Sequence, residues 1–387
     1  MSRNYYYIKS RSVAEMNWWA SNGVTPYKHY LEYAPVTKWS RFKLHKNYDA
    51  LIDQIWGIHE MIKNLEEFRF HRSDRGEYYI RNTPTNTFRL PKRKGGFREI
   101  TVFSEEYKQI HLMLIDLLEE FFPHFPDSTG AYIKGKSQLD TVKAHQHAKA
   151  HLSLDLENFY PSIETEGLEN VLKQLAVVKA NLSDESIRRL SIMATYGGSL
   201  AQGSSISPIL SNIFSLPLDY ELYELVKNTN VTYTKFADDI SLSSPNVIAL
   251  PRKRELKSYV EGMQNRLDRL YNRKVKINKS KTKLQFGDQI KILGITIRQT
   301  EDGPSFSVGK TRKNQYGKEL FDFLCDINDG NIDGRLLDYQ TVRGKIEYLK
   351  QFEPKWFDNQ QVKLRRTFGF TGDVWSYILS VINTETE

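Results

Sequence analysis

Apolar and polar residues alternate with a period of two at several places along the chain, and each such place predicts a strand. Leu152, Leu154 and Leu156 share one face, leaving Ser153 and Asp155 on the other. Val231 and Tyr233 alternate with Thr232 and Thr234, and Ile240 and Leu242 with Ser241 and Ser243. Two short strands therefore flank Ala237-Asp238-Asp239 and set two adjacent carboxylates at a hairpin tip. Residues 88–102 read as a second hairpin turned at Gly95-Gly96. Ile290 to Ile297 alternates like one strand, with Gly294 where another group can approach closely. Helical periodicity appears elsewhere. Ser104 is an N-cap for a helix with Tyr107, Ile110, Leu114, Leu117, Leu118 and Phe121 on one stripe. Further helices are expected near Tyr48–Trp56, after Ser183, from Ile209 to about Tyr223 behind Ser207-Pro208, and from Arg254 to Tyr271. Past Pro304 the pattern turns helical, with Tyr339, Val342, Ile346 and Leu349 on one face and Arg343, Lys345 and Lys350 elsewhere around it.

Charge narrows the field of partners. The chain carries 55 Lys and Arg against 47 Asp and Glu, a net +8, which favours a polyanion, nucleic acid first. Its 40% hydrophobic content is that of an ordinary folded protein, so disorder is excluded as the main state. The one cysteine, Cys325, rules out an intrachain disulfide and a multi-cysteine zinc site, which fits a reducing cytoplasm. No stretch approaches the roughly 18 uncharged apolar residues of a membrane span, so a soluble protein with no membrane partner is expected. Near the start, Tyr5, Tyr6, Tyr7, Trp18, Trp19 and Trp39 interleave with Lys9, Arg11, Lys28 and Lys38. Such rings and cations either stack on unpaired bases and meet phosphates, or pack helices onto the main body.

Several residues carry candidate chemistry. Adjacent acids at a buried hairpin tip need counter-charge, and divalent metal supplies it, although Asp-Asp is also ordinary turn chemistry. Asp155, on the open face of an otherwise buried strand, is a third candidate ligand. The strand leads into Phe159-Tyr160-Pro161, where proline stops it and the two rings face a core or a pocket. In the basic hairpin, Arg98 with one of Lys92, Arg93 or Lys94 suits a triphosphate. Ala131 to Gln138 reads as a short strand running into a glycine turn, with Lys134 and Lys136 as contacts to a nucleic-acid backbone. Gln202-Gly203 lies in a small-residue loop opening a helix, suited to phosphate or sugar. Lys276, Lys279, Lys281 and Lys283 gather in one region.

Taken together, Lys94-Gly-Gly-Phe-Arg-Glu-Ile100, Ser153-Leu-Asp-Leu-Glu-Asn-Phe-Tyr-Pro-Ser-Ile163, Gln202-Gly-Ser-Ser-Ile-Ser-Pro-Ile-Leu-Ser-Asn212, Phe236-Ala-Asp-Asp239, Asn278-Lys-Ser-Lys-Thr-Lys283 and Ile292-Leu-Gly294 follow one another in a set order. That order resembles reverse transcriptases, and among them the bacterial retron and defence-associated enzymes. The resemblance implies an α+β right-hand polymerase with fingers, an RRM-like antiparallel palm and a helical thumb. The segments would be 1–85 as an aromatic and basic extension, 86–150 as fingers, 151–305 as palm with inserted fingers helices, and 306–387 as thumb. It implies two magnesium ions, with manganese as a substitute, held by Asp155, Asp238, Asp239 and the Leu156 carbonyl. Tyr160 matches the side chain that excludes a ribose 2′-hydroxyl, with Phe159 beside it. Gln202 and Gly203 match the loop touching sugar and template base; Arg98 and Lys94 match the phosphate grip. Lys281 or Lys283 matches the lysine that protonates pyrophosphate. Gly294, Arg343 and Lys345 join Lys134 and Lys136 as nucleic-acid contacts.

The chain departs from the pattern in three places. Phe236 stands where most members have Tyr, Ala201 stands before Gln202 where proline is frequent, and the Asn-Ala-x-x-His and Val-Thr-Gly elements of typical retron enzymes are missing. The last departure shifts weight toward other defence-associated reverse transcriptases. The function implied is RNA-directed DNA synthesis from dNTPs on a non-coding RNA template in antiphage defence, with a homo-oligomer or a separate effector protein as a further partner. The alternatives are an RNA polymerase or template-independent transferase on the same palm, and a non-catalytic RNA-binding scaffold.

Overall fold

The computed structural model describes residues 47–66, 70–72, 78–80, 85–92, 95–330 and 335–384. The aromatic and basic positions up to Trp39, together with Arg93 and Lys94, lie outside them. The first elements are α1 (Tyr48–Glu66), β1 (Phe70–Arg72), β2 (Tyr78–Ile80), β3 (Thr85–Pro91), β4 (Phe97–Phe103) and α2 (Glu105–Phe121). After α3 (Gln138–Lys143) and β5 (Ala150–Asp155) come α4 (Phe159–Ser162), α5 (Thr165–Gln174), α6 (Ala176–Lys179), α7 (Asp184–Ala194), α8 (Ser207–Phe214) and α9 (Leu216–Val226). Next are β6 (Thr232–Phe236), β7 (Asp239–Ser244), α10 (Leu256–Leu270), β8 (Lys283–Phe286), β9 (Gln289–Ile292), β10 (Ile295–Thr300) and β11 (Gly303–Ser307). Four helices close the chain, α11 (Lys310–Asn328), α12 (Arg335–Phe352), α13 (Pro354–Phe368) and α14 (Val374–Thr384). The largest sheet has the order β6-β7-β5-β8; β3 pairs with β4 antiparallel, and β9, β10 and β11 form a meander.

The described chain divides into two compact units. The first gathers residues up to 137 with 153–242 and 251–283. Its core is the predicted stripe of α2, with Ile110, Leu114 and Leu118 fully buried, together with Leu154, Ile187, Leu190, Leu210 and Ile213. Ser104 caps α2 by accepting from the Tyr107 amide at 3.4 Å, and Ser183 caps α7 through Ser186 in the same way. The second unit gathers 138–152, 243–250 and 284–387. Ile290, Ile292, Ile295 and Ile297 pack there with Leu320, Phe323, Ile346, Leu349, Val374 and Ile378.

Four sequence expectations are corrected. Ile290–Ile297 is a hairpin, because Leu293 and Gly294 both take positive φ, at 50° and 82°, and reverse the chain. The helix expected over 209–223 breaks in two, since Pro217 cannot supply an amide hydrogen and α9 restarts at Leu216. Ser207 does not cap α8; its hydroxyl donates to the Ala201 carbonyl at 2.8 Å. Ala131–Gln138 is a pair of turns with no strand, and Tyr132 sits at φ 59°.

In the second unit, His145 Nδ1 lies 2.6 Å from the Ser243 hydroxyl, and His151 Nδ1 accepts from the Gln285 amide at 3.1 Å. Burial pushes His145 down to about 4 and His151 down to about 3 from an ordinary 6.5, the charge of His145 adding to the shift of His151. Both are neutral in the fold and take up protons first on unfolding. Their contribution to stability is therefore full above pH 6.5 and declines as pH falls toward 4, by about 1.4 kcal/mol per pH unit for each ring. Urea unfolding midpoints measured from pH 7 to pH 4.5 should fall, and His151→Gln should flatten that slope.

Candidate active site

Asp155 is the last residue of β5, and its placement follows from the strand pattern. Leu152, Leu154 and Leu156 are buried as predicted, but Asp155 is buried too, at 6% exposure. A buried carboxylate requires a partner. Lys281 provides it, its Nζ donating to the two oxygens of Asp155 at 2.7 and 3.1 Å. The 276–278 segment brings that lysine over: the Glu157 amide donates to the Lys276 carbonyl at 2.7 Å, and the Asn278 amide to the Asp155 carbonyl at 2.8 Å.

On the other side the Leu156 amide donates to the Asp238 carbonyl at 3.0 Å, which draws the β6–β7 turn to the end of β5. Ala237 turns the chain in the left-handed region, at φ 56°, and Asp239 opens β7. The three acids feel one another. Asp238 is held above the usual carboxylate range, first by burial and then by the charge of Asp155, with Lys281 and Arg98 opposing. Asp239 is pushed up to about 6, by burial first and then by Asp238 and Asp155, against the charges of Lys281 and Lys283. The strand-borne acids are thus brought into one electrostatic neighbourhood that is short of positive charge.

Arg98 extends from β4 near enough for its charge to act on Asp238, and Phe236 is half-buried at the end of β6. Gln202 and Gly203 pack under the same hairpin. The Thr101 amide donates to the Gln202 carbonyl at 2.8 Å, and a Cβ on Gly203, at φ 103°, would meet the Thr101 carbonyl at 2.5 Å. Glycine is required there by a backbone crossing. Gln202 Oε1 is buried with no hydrogen-bond partner among the described residues, an acceptor left for something else to satisfy.

Phe159 and Tyr160 stand on the short helix α4, entered through Asn158 at φ 45°; Phe159 is buried and their rings lie 6.1 Å apart. Burial raises the pKa of the Tyr160 hydroxyl, with Tyr132 and the charge of Asp238 adding to the shift. The remaining candidates are placed differently. Lys136 bonds back to its own loop through the Asp127 and Thr129 carbonyls, while Lys134 is exposed. In the second unit, Gly294 forms the β9–β10 turn, Arg343 lies over the Tyr339 ring, and Lys345 pairs with Glu319.

Sequence reasoning quotes Ser211 and Asn212 within the Gln202–Asn212 stretch but gives neither a role; the Asn212 side-chain amide donates to the Ala131 carbonyl at 3.0 Å. Ser211 and Asn212 are polar residues fully buried in α8, at 1% exposure each, and polar positions at the core-facing spacing of an amphipathic helix are the signal that could have found them.

The donor set fits divalent metal. Carboxylate oxygens are hard ligands of the kind magnesium prefers, the acids repel one another where water is scarce, and the Lys281 ammonium already stands against Asp155 as a cation. Among the described residues, no three His, Cys, Asp or Glu side chains already form a closed ligand set.

A four-stranded sheet presenting these acids beside a two-stranded basic hairpin defines an α+β polymerase. The chain belongs to the reverse transcriptase (RNA-dependent DNA polymerase) family, whose pattern matches residues 90–297, over half of the chain. The Retron Ec83 reverse transcriptase of Escherichia coli is 26% identical over 292 residues, 73% of this chain and 87% of that protein. The Retron Mx65 reverse transcriptase of Myxococcus xanthus is 29% identical over 254 residues, 61% of this chain and 55% of its own length. A solved apo telomerase from Candida Tropicalis is 12% identical, with a TM-score of 0.46, covering 77% of this chain and 60% of that one. The resemblance to bacterial retron-type enzymes read from the motifs is borne out, although the two retron elements are missing. No described helix is long and apolar enough to cross a membrane.

Proposed function

We propose that this RNA-directed DNA polymerase copies a dedicated non-coding RNA in the bacterial cytoplasm as part of antiphage defence. The segments 86–150, 151–305 and 306–387 act in this reading as fingers, palm and helical thumb. The observation that carries the site assignment is the mutual electrostatic contact of Asp155, Asp238 and Asp239 at the end of β5. Asp155, Asp238, Asp239 and the Leu156 carbonyl would hold magnesium, which when bound lowers the pKa of a primer 3′-hydroxyl and neutralises the leaving pyrophosphate. Arg98, with Lys94, binds the triphosphate. Lys281, whose Nζ already bonds Asp155, is better placed than Lys283 to donate a proton to departing pyrophosphate. Gln202 offers its Oε1, without a partner among the described residues, to the incoming nucleotide or its template base.

The retron relatives support the RNA partner, since their resemblance to this chain extends through the palm motifs. Sequencing the nucleic acid that co-purifies with the protein, then supplying dNTPs and magnesium, tests the reading. One discrete RNA and a complementary DNA product are expected; a protein that carries random RNA and extends nothing would remove it.

Tyr160 is the residue on which sugar selection turns. In this reading its ring is the aromatic wall against a 2′-hydroxyl, so Tyr160→Ala should raise incorporation of ribonucleotides relative to deoxynucleotides by about two orders of magnitude, the scale on which steric fit discriminates. Single-nucleotide extension with paired dNTP and NTP series measures it. Unchanged selectivity would refute the gate.

A further inference from the structure

We propose that a groove beside α10 is a second anchor for RNA, holding the sugar–phosphate backbone of a bound strand through Lys253, Lys257 and Lys279, none of them among the residues of the candidate active site. The proposal rests on the RNA partner of the preceding reading. It adds where the protein grips that RNA apart from the acidic turn.

The groove is built from two segments that the chain ties together. Gln264 of α10 donates to the Val275 carbonyl at 3.0 Å and accepts from the Ile277 amide at 2.8 Å, which holds the segment leading to Asn278 against the helix. Beyond it, the Lys281 and Thr282 amides both donate to the Asn278 carbonyl at 3.1 Å. The turn so closed divides its side chains. Lys281 goes to Asp155, whereas Lys279 and Thr282 line a cavity of about 470 Å³ together with Lys253 and the first turns of α10. Leu256 and Val260 give that cavity an apolar lining, and Val260 is buried. The Thr282 hydroxyl donates to the Asn278 carbonyl of its own turn at 3.2 Å, so the donors left for a ligand are the three ammoniums.

Those cations differ from their neighbours. Arg266 and Arg269 pair with Glu221 at 3.2 and 2.9 Å, Lys276 with Asp268 at 3.3 Å, and Lys274 with Glu164 at 2.9 Å. Lys253, Lys257 and Lys279 are exposed and have no ion-pair partner among the described residues, Glu261 one turn along from Lys257 included. Like charges gathered without counter-charge repel, and a bound anion removes that cost. A phosphodiester strand fits better than a free nucleotide, because the lining has no aromatic ring on which a lone base could stack. Ammoniums meet phosphates as point charges and carry no sequence information, which suits an anchor on a strand whose bases are read elsewhere.

The test is the salt dependence of affinity for a long single-stranded RNA of mixed sequence. Each phosphate contact on a single strand contributes about 0.7 to the slope of log affinity against log salt. Lys253→Gln/Lys257→Gln/Lys279→Gln should therefore flatten the slope by about 2 and weaken binding about a hundredfold near 0.1 M salt. Lys179→Gln/Arg188→Gln, on exposed cations elsewhere in the same unit, should leave the slope as it is. Amine-reactive labelling read by mass spectrometry checks the unaltered protein: the RNA should protect Lys253, Lys257 and Lys279 and leave Lys179 reactive. A parent protein that binds RNA with a steep slope, retained in the triple variant, overturns the groove and leaves the RNA partner standing. So does full reactivity of the three lysines in the RNA-bound protein. A slope that falls as much per charge in Lys179→Gln/Arg188→Gln assigns the effect to overall charge and overturns the groove as well. A parent protein that binds no RNA removes the RNA partner, and the groove with it.

Discussion

Asp238→Asn is expected to cut magnesium-dependent dNTP incorporation on an RNA template by about three orders of magnitude or more, while leaving the protein folded and RNA-bound. The substitution preserves the shape of the side chain and one acceptor oxygen, but removes the negative charge that a divalent ion needs. Each tenfold loss corresponds to about 1.4 kcal/mol at the transition state, and metal ligation is worth several such steps. Folding should not suffer. Burial and the charge of Asp155 hold the Asp238 carboxyl above its usual range, so its ionised form is a burden on the metal-free fold. Neutralising it relieves that repulsion, and in chelator the variant should melt no lower than the parent protein. Single-turnover extension and thermal melting measure the two effects separately. A variant that extends a primer at the parent rate sinks the metal-site assignment; one that loses activity and also melts much lower has failed through its fold instead.

The acidic turn was legible because its signal is local. Period-two alternation on both sides of Ala237-Asp238-Asp239 predicts strands whatever lies elsewhere, and these strands are β6 and β7. The α2 stripe was legible for the same reason. Asp155 was half-legible: its position at the strand end followed from Leu152, Leu154 and Leu156, but the pattern put it on an open face. Its burial depends on Lys281, 126 residues further along, and pairing over that separation leaves no trace in a periodicity. The four clustered lysines look alike in sequence. Only the turn at Asn278, closed by the Lys281 and Thr282 amides on its carbonyl, sends Lys281 to Asp155 and leaves Lys276 to pair with Asp268. The Tyr132 turn was missed because alternation of Ala131, Tyr132 and Ile133 imitates a strand, whereas a tertiary bond from Asn212 fixes it as a bend.

The acids are held in register by a second pair that sequence periodicity did not single out. Lys235 and Asp219 are both 1% exposed, with Lys235 Nζ 2.8 Å from Asp219 Oδ2, and the Tyr233 hydroxyl donating to Asp219 Oδ1. Removing one partner strands the other charge where water cannot reach it. Lys235→Met alone, and Asp219→Asn alone, should each cost about 3–5 kcal/mol of stability, because an uncompensated buried ion loses far more than a surface one. The burden falls on β6, whose next turn carries Asp238. Replacing both ions together behaves differently. In Lys235→Met/Asp219→Asn no charge is left, the amide oxygen still accepts from Tyr233, and the methionine fills the space of the lysine stem. Most of the single-variant loss should therefore be recovered, and with it dNTP incorporation, since neither group touches substrate. Urea melts of the two single variants and the double variant form a complete cycle. A double variant as unstable as the sum of the singles would mean that the ion pair itself, rather than the mere absence of a stranded charge, holds the acidic turn in place.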